Sequence, residues 1–163
     1  MMEKAEVSAL AVDKSEVRMT VADLPAEPGS PARVLEALSK HGVPTDMILQ
    51  AAPGPSSKIS LSFMTPRAAL PKARQALAEA AGALKGRVDT QDHVAKLSVI
   101  GTGFRHQAWV AGTMFRTLAA NKIDIHLISS SDLRISVVVD ARHAETAMRA
   151  LHTAYGLAKR SRR

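Results

Sequence analysis

One order of predicted elements occurs twice along the chain, and this duplication constrains the fold more than any other feature of the sequence. Alternating polarity, turn residues and the helical spacing of apolar residues predict strand, loop, helix, strand and strand across Val17–Phe63. The same order is predicted across Lys96–Val139. A second helix follows each segment, at Ala68–Ala81 and at Ala141–Tyr155. With a closing strand, this order is typical of an α+β fold in which an antiparallel sheet carries both helices on one face, the ferredoxin-like βαββαβ arrangement.

The strands are predicted from short runs that are apolar or alternate in polarity and are bounded by turn residues. They are Val17–Val21, Val43–Leu49 and Ile59–Phe63 in the first copy and Ala95–Ile100, Ile123–Ile128 and Leu133–Val139 in the second. Ala83–Val88 is predicted to close the first sheet. An additional strand, Ser8–Val12, either forms a hairpin with Val17–Val21 or crosses to the second copy. Ser30, which precedes Pro31, is predicted to be the N-cap of the first helix.

We therefore expect two modules, residues 14–90 and residues 91–157, followed by a basic tail at 158–163. The N-terminal strand, at 6–12, is a candidate member of the second module. A module of about 70 residues buries only around 60% of the surface that its unfolded chain exposes, and is marginally stable alone. The two are thus expected to share a core or to dimerise.

Composition excludes several functional classes. The 163 residues include no cysteine, which rules out disulfides and thiolate metal sites and fits a cytoplasmic location. No apolar stretch approaches the roughly 18–20 residues that span a bilayer, so we expect no membrane partner. Four positive charges lie in the last five residues, Lys159–Arg163, and the net charge of +7 falls to about +3 without them. This tail either binds nucleic acid or is a solvated terminus. We favour the second, because aromatic residues that stack on bases make up only 3% of the chain.

The residues that carry catalysis in other proteins are not arranged for it here. Gly101-Thr102-Gly103 follows a predicted strand, but His106 stands where a phosphate-binding fingerprint has its third glycine. The remaining histidines are scattered along the chain rather than clustered as metal ligands. The polar run Ser129–Asp132 is either an anion-binding loop or a hairpin turn. We expect no catalytic residue, no metal site and no cofactor.

The first junction between strand and helix is the best candidate for a binding site. A helix N-terminus presents unbonded N–H groups and the positive end of a dipole, and Gly29 lets a carboxylate approach the backbone. The segment Pro28–Ser30 therefore suits the carboxylate of an amino acid. Asp46 and Gln50, at the start and end of the following strand, or backbone carbonyls, are candidates to accept hydrogen bonds from its ammonium group.

Several segments together resemble the tandem ACT-domain regulatory region of aspartate kinases, which in some bacteria is made as a separate β subunit. The resemblance extends roughly from Val7 to Leu157 and is specific only in combination. It is carried by Pro28-Gly29, Val43–Gln50, Val94–Arg105, Ile123–Asp140 and Ala150–Leu157.

The resemblance implies a regulatory role in which threonine, lysine or both bind at a homodimer interface, between one chain's first module and the partner's second. It implies a catalytic aspartate kinase subunit as a further partner. The family's amino-kinase signature, Lys-Phe-Gly-Gly, is absent, so we expect no catalysis by this chain alone. Transferred by position, the effector contacts are Gly29, Pro31, Gln50, Asp124 and Ile125, with Ser131 and Asp132 near a second effector position.

The chain departs from the family pattern at positions that touch effector. Ala26 stands where the family has an acidic residue, and Asp124 stands where it has asparagine. Ala108-Trp109 replaces the Pro-Gly of the second module, where the Trp109 ring is a candidate to fill the pocket. These departures support a second hypothesis, in which the chain is a scaffold or dimerisation module that no longer binds an effector.

Overall fold

The computed structural model describes residues 4–157 and divides the chain into two compact units. The first unit consists of residues 15–92, and the second unit combines residues 4–14 with residues 93–157. The main elements in chain order are β1 (Glu6–Asp13), β2 (Glu16–Pro25), α1 (Gly29–Lys40), β3 (Asp46–Ala51), β4 (Lys58–Pro66), α2 (Leu70–Leu84), β5 (Arg87–Gln91), β6 (Val94–Thr102), α3 (Trp109–Ala120), β7 (Leu127–Ser130), β8 (Arg134–Asp140) and α4 (Ala144–Ala154). Short 3-10 helices occupy Arg67–Ala69, Phe104–His106 and Ala141–His143.

The first unit is a four-stranded antiparallel sheet with strand order β3-β4-β2-β5. The alternation of β2 places every second residue on one face, where Met19 pairs with Phe63 and Val21 pairs with Leu61, all of them buried. Val34 of α1 and Leu77 of α2 belong to the same apolar cluster. Both helices therefore cover the same face of this sheet.

The second unit has the equivalent sheet, with strand order β1-β6-β8-β7. Its fourth strand is β1, which pairs antiparallel with β6 from Glu6 opposite Thr102 to Asp13 opposite Lys96. The N-terminal strand thus crosses to the second copy instead of forming a hairpin with β2. The core joins β6 and β8 to α3 and α4 through the buried residues Leu97, Val99, Val110, Met114, Leu118, Val137, Ala147 and Leu151.

The expected fold class, two ferredoxin-like modules of α+β type, is confirmed, but four local predictions were wrong. Ala83 and Leu84 belong to α2, with Leu84 on its buried side, and Lys85 follows as the C-cap with a left-handed φ of 55°, so the closing strand begins at Arg87. The β3 strand begins at Asp46, after Pro44, which has no N–H to donate to a ladder. The β7 strand was predicted to begin at Ile123, but it begins at Leu127.

The fourth correction concerns the first turn of α1. Ser30 lies inside the helix rather than at its N-cap, which is Pro28. The helix therefore begins two residues earlier than expected, and the Ser30 N–H donates to the Glu27 carbonyl at 3.1 Å.

Three further expectations concern absences and the chain ends. Among residues 4–157, no helix is both long and apolar enough to cross a membrane. The same residues contain no group of three or more His, Asp or Glu side chains placed to hold a metal ion. The predicted basic tail, 158–163, lies outside the described residues.

The β1–β6 pairing depends on a glycine at position 101. A Cβ built there would lie 1.9 Å from the Glu6 carbonyl oxygen and 2.7 Å from the Phe104 ring. Both obstacles are fixed, since one is backbone in the paired strand and Phe104 is buried. Any larger residue must therefore separate β1 from β6 or displace the ring.

We expect Gly101→Ala to lower the free energy of unfolding by roughly 3 kcal/mol, because overpacking a fixed contact costs this much or more. Urea denaturation followed by circular dichroism measures the change. Gly112→Ala in α3 is the matched control, since a Cβ there meets nothing within 4 Å and alanine favours a helix. Equal stability of the Gly101→Ala variant and the unmodified chain would contradict this reading of the contact.

Candidate functional site

A pocket of about 450 Å³ lies in the first unit where β2 leads into α1, beside β3. Its size suits a small molecule. The lining is mainly apolar and contains one carboxylate and one amide, and it consists of Ala26, Glu27, Pro28, Pro31, Gln50, Pro53 and Ile59. The structure therefore brings together two of the predicted site residues, Pro31 and Gln50, which come from different elements.

The backbone at the start of α1 forms one wall of this pocket. The helix begins at Gly29, with Pro28 as N-cap and no side chain bonded to the free end. A Cβ at Gly29 would meet nothing within 4 Å, so the space beside the first helical turn is open. Pro31 has no N–H and the Ser30 N–H already donates to the Glu27 carbonyl, so this wall favours a negatively charged group mainly through the positive end of the helix dipole.

Glu27 lines the same pocket, although the sequence analysis did not select it. Its backbone is held between β2 and α1, since its N–H donates to the Pro25 carbonyl at 2.8 Å and its carbonyl accepts from the Ser30 N–H at 3.1 Å. Its side chain is exposed. The sequence offered one signal for its role. Glu27 directly follows Ala26, the position at which the family pattern has an acidic residue.

Asp46, in contrast to Gln50, is not a lining residue of this pocket in the described part of the chain. Its Oδ1 accepts a hydrogen bond from the Met47 N–H at 2.8 Å. Met47 has a positive φ of 50°, and the pairing of β3 with β4 shifts register between Asp46 and Leu49. This irregularity separates the start of the strand from its end, so a ligand role for Asp46 stays a prediction.

In the second unit, the predicted residues lie on two loops. Asp124 is exposed between α3 and β7, and its neighbour Ile125 is half-buried against the unit's core. Ser131 belongs to the turn between β7 and β8, where its N–H donates to the Arg134 carbonyl at 2.8 Å and its Oγ accepts from the Arg134 N–H at 3.2 Å. No described contact within this unit connects Asp124 with Ser131.

Asp132 connects that turn to the loop that precedes α3. Its Oδ1 accepts from the Arg105 N–H at 3.1 Å, and its carbonyl accepts from the Phe104 N–H, also at 3.1 Å. Its Oδ2 lies 4.0 Å from the Arg105 guanidinium. The carboxylate is thus engaged in holding the loop, which occupies the position equivalent to the pocket wall of the first unit.

The start of α3 also differs from the start of α1. Trp109 is the first residue of α3 and remains 47% exposed, so its ring is not enclosed in a pocket of its own unit. The next residue, Val110, accepts a hydrogen bond through its carbonyl from the Tyr155 hydroxyl at 2.5 Å. This contact ties the end of α4 to the first turn of α3, and burial raises the pKa of Tyr155 to about 12.

Comparison with known proteins matches both units. The ACT-domain family model matches residues 17–81 and again residues 97–155. The chain is 33% identical to the aspartokinase of Helicobacter pylori over 156 residues, which are 96% of this chain and 38% of that enzyme. It thus spans well under half the length of the curated aspartokinases that it matches.

Solved structures agree with this assignment. The ligand-free regulatory subunit of aspartate kinase from Thermus thermophilus superimposes with a TM-score of 0.87 at 32% identity, covering 91% of this chain and 97% of that one. A structure of aspartokinase alpha and beta subunits gives a TM-score of 0.85 at 33% identity, with 92% and 99% covered. The chain belongs to the ACT-domain family and, within it, to the regulatory ACT pairs of aspartate kinases.

We expect the Tyr155 contact to stabilise the second unit up to about pH 10 and to lose this effect as the pH rises toward 12. The pKa is raised in the folded state, so the neutral phenol is favoured there, whereas the unfolded phenol ionises near pH 10. Ultraviolet absorbance measures the titration directly, since the chain has a single tyrosine.

The matched variant is Tyr155→Phe, which removes the hydroxyl and is expected to cost about 1 kcal/mol at neutral pH. Its stability is expected to fall less steeply above pH 10 than that of the unmodified chain. A tyrosine titration midpoint near 10 in the folded protein would contradict the buried contact.

Proposed function

We propose that the chain provides feedback control of an aspartate kinase by binding a small amino acid, threonine or lysine, in the pocket of the first unit. The observation that carries this proposal is the convergence of Pro31 and Gln50 on one open pocket beside the N-terminus of α1, where the space around Gly29 is also open. Membership of the regulatory ACT pairs supplies the kind of enzyme that is controlled.

The pocket has the groups that an amino acid requires. Its carboxylate lies best against the start of α1, where the positive end of the helix dipole attracts an anion. The Gln50 side chain offers both a donor and an acceptor at the end of β3. Pro31, Pro53 and the buried Ile59 supply apolar contact for a short side chain.

A second copy of the chain is the expected partner in this control. The strands β3 and β7 are edges of their sheets. Each presents apolar residues to solvent, since Ile48 is 48% exposed, Leu49 is 47% exposed and Ile128 is 43% exposed. Unpaired edges with apolar side chains favour association. We propose that a homodimer covers them and brings Asp124, Ile125, Ser131 and Asp132 of one copy toward the first-unit pocket of the other.

A catalytic aspartate kinase subunit or domain is the proposed target. The curated relatives are aspartokinases more than twice as long as this chain, and one similar structure contains aspartokinase alpha and beta subunits. An effector that favours one dimer arrangement shifts the kinase by its difference in affinity for the two states, typically about 1–3 kcal/mol. A cytoplasmic location is part of the same proposal.

A scaffold without effector binding is the second candidate function. It is favoured by Ala26, which adds no acid to the pocket wall, and by the loop before α3, whose N–H groups are bonded to Asp132. In that case the chain dimerises but binds no amino acid. The two functions differ in a single measurable property, which is the binding of free amino acids.

We expect isothermal calorimetry to detect binding of threonine or lysine by the full chain. Gln50→Ala is expected to weaken the affinity about fivefold, which corresponds to one lost hydrogen bond of about 1 kcal/mol. Gln75→Ala, an exposed glutamine on α2, is the matched control and is expected to bind as the unmodified chain does. If neither amino acid binds at millimolar concentration, the effector role is excluded and the scaffold role remains.

We also expect the chain to sediment as a dimer at micromolar concentration, and Ile48→Lys to shift it toward monomer. Lysine on an edge strand places a solvated charge where apolar contact is required. Ala83→Lys, on the exposed side of α2, is the control for the added charge. Analytical ultracentrifugation measures the association. An unmodified chain that stays monomeric throughout the concentration range contradicts the dimer.

A further inference from the structure

We infer that Glu27 binds the ammonium group of the effector, and that the first-unit pocket consequently selects amino acids with one positive charge over lysine. The inference rests on the proposed function, and it identifies a specificity-determining residue of that site. It follows from three features of the pocket: the fixed backbone of Glu27, the charge of the lining, and the apolar character of the remaining wall.

The position of Glu27 is determined by backbone contacts on both sides. Its N–H donates to the Pro25 carbonyl at 2.8 Å, and its carbonyl accepts from the Ser30 N–H at 3.1 Å. The residue therefore lies in a turn between β2 and α1 that is fixed before any ligand binds. Preorganisation of this kind reduces the entropy lost on binding.

The Glu27 carboxylate is available to a ligand. It makes no ion pair with any residue between 4 and 157, and it is the only charged side chain that lines the pocket in that part of the chain. The cations of α1, Arg33 and Lys40, border a separate groove together with Glu36. Glu27 thus contributes to the pocket lining a residue whose carboxylate pairs with no cation among residues 4–157.

The two ends of a zwitterion then have separate partners on the same wall. The first turn of α1 attracts the carboxylate, and Glu27, which precedes that turn, attracts the ammonium group. Glu27 thus provides the acidic residue that the family pattern has at position 26, where this chain has alanine. A shift of the acid by one residue along the chain keeps it in the pocket lining, because both residues line it.

The remaining wall argues against a second positive charge. Apart from Glu27 and Gln50, the lining residues in the described part of the chain are alanine, proline and isoleucine. A side-chain ammonium group placed there would lose solvent without gaining a carboxylate, and an unpaired charge is costly to bury. An uncharged side chain such as that of threonine meets no such penalty.

Calorimetry on the full chain tests the inference with three ligands and two variants. The ligands are threonine, lysine and 2,3-dihydroxybutanoate, which carries a hydroxyl group in place of the threonine ammonium. The variants are Glu27→Gln and the matched control Glu36→Gln, which removes an equal charge from exposed surface outside the pocket. Thermal unfolding of both variants confirms that they are folded, because exposed changes of this kind alter stability little.

We expect threonine to bind at least tenfold more tightly than lysine, and Glu27→Gln to weaken threonine about tenfold, since a hydrogen bond between charged groups is lost. The hydroxy acid is expected to bind both proteins equally, and Glu36→Gln is expected to change nothing. If the unmodified chain binds threonine and Glu27→Gln binds it as tightly, the inference is wrong and the proposed function stands. Lysine binding as tight as threonine binding overturns the selectivity. If no amino acid binds the unmodified chain, the inference and the proposed function both fail.

Discussion

The structure depends on one requirement, which is a fourth strand beside the first strand of each antiparallel sheet. The first unit takes this strand from its own sequence, as β5. The second unit takes it from the N-terminus, as β1, and the approach of Glu6 to position 101 leaves no space for a side chain there. The second unit is therefore discontinuous in sequence, and all of the first unit lies between its two parts. The first copy of the duplicated motif is thus one continuous segment, whereas the second copy is completed only by the N-terminal strand.

The same duplicated motif gives two different junctions between strand and helix. In the first unit the junction is open, and the wall of α1 meets Glu27 and Gln50 around a pocket. In the second unit the corresponding loop is bonded to Asp132, and the first turn of α3 is bonded to Tyr155. The two copies thus differ at this junction, where the first has an open pocket and the second has hydrogen bonds to Asp132 and Tyr155. We propose that the two contribute unequally to effector binding.

The order of the elements was predictable because the repeat, the alternating strands and the helical periodicity agree with one another. The partner of β1 was not, since alternation shows which face is buried and not which strand is adjacent. The closing strand was placed too early because the periodicity of a short apolar run such as Ala83-Leu84 does not distinguish the end of a helix from the start of a strand. Glu27 was missed because the expected acid belongs at position 26, and only the fold shows that both positions line the pocket. The bonds of Asp132 join two loops, which no sequence pattern encodes.

The central claim is that a small amino acid binds in the first unit at the start of α1. Amide chemical shifts in a ¹⁵N-labelled chain titrated with threonine test it most directly, because each residue reports separately. The account predicts saturable shifts concentrated at the amides of Ala26, Glu27, Gln50 and Ile59, which line the pocket, and at those of Gly29 and Ser30, between its two lining prolines. Saturable shifts confined to the second unit, or no shifts at millimolar threonine and lysine, would contradict it.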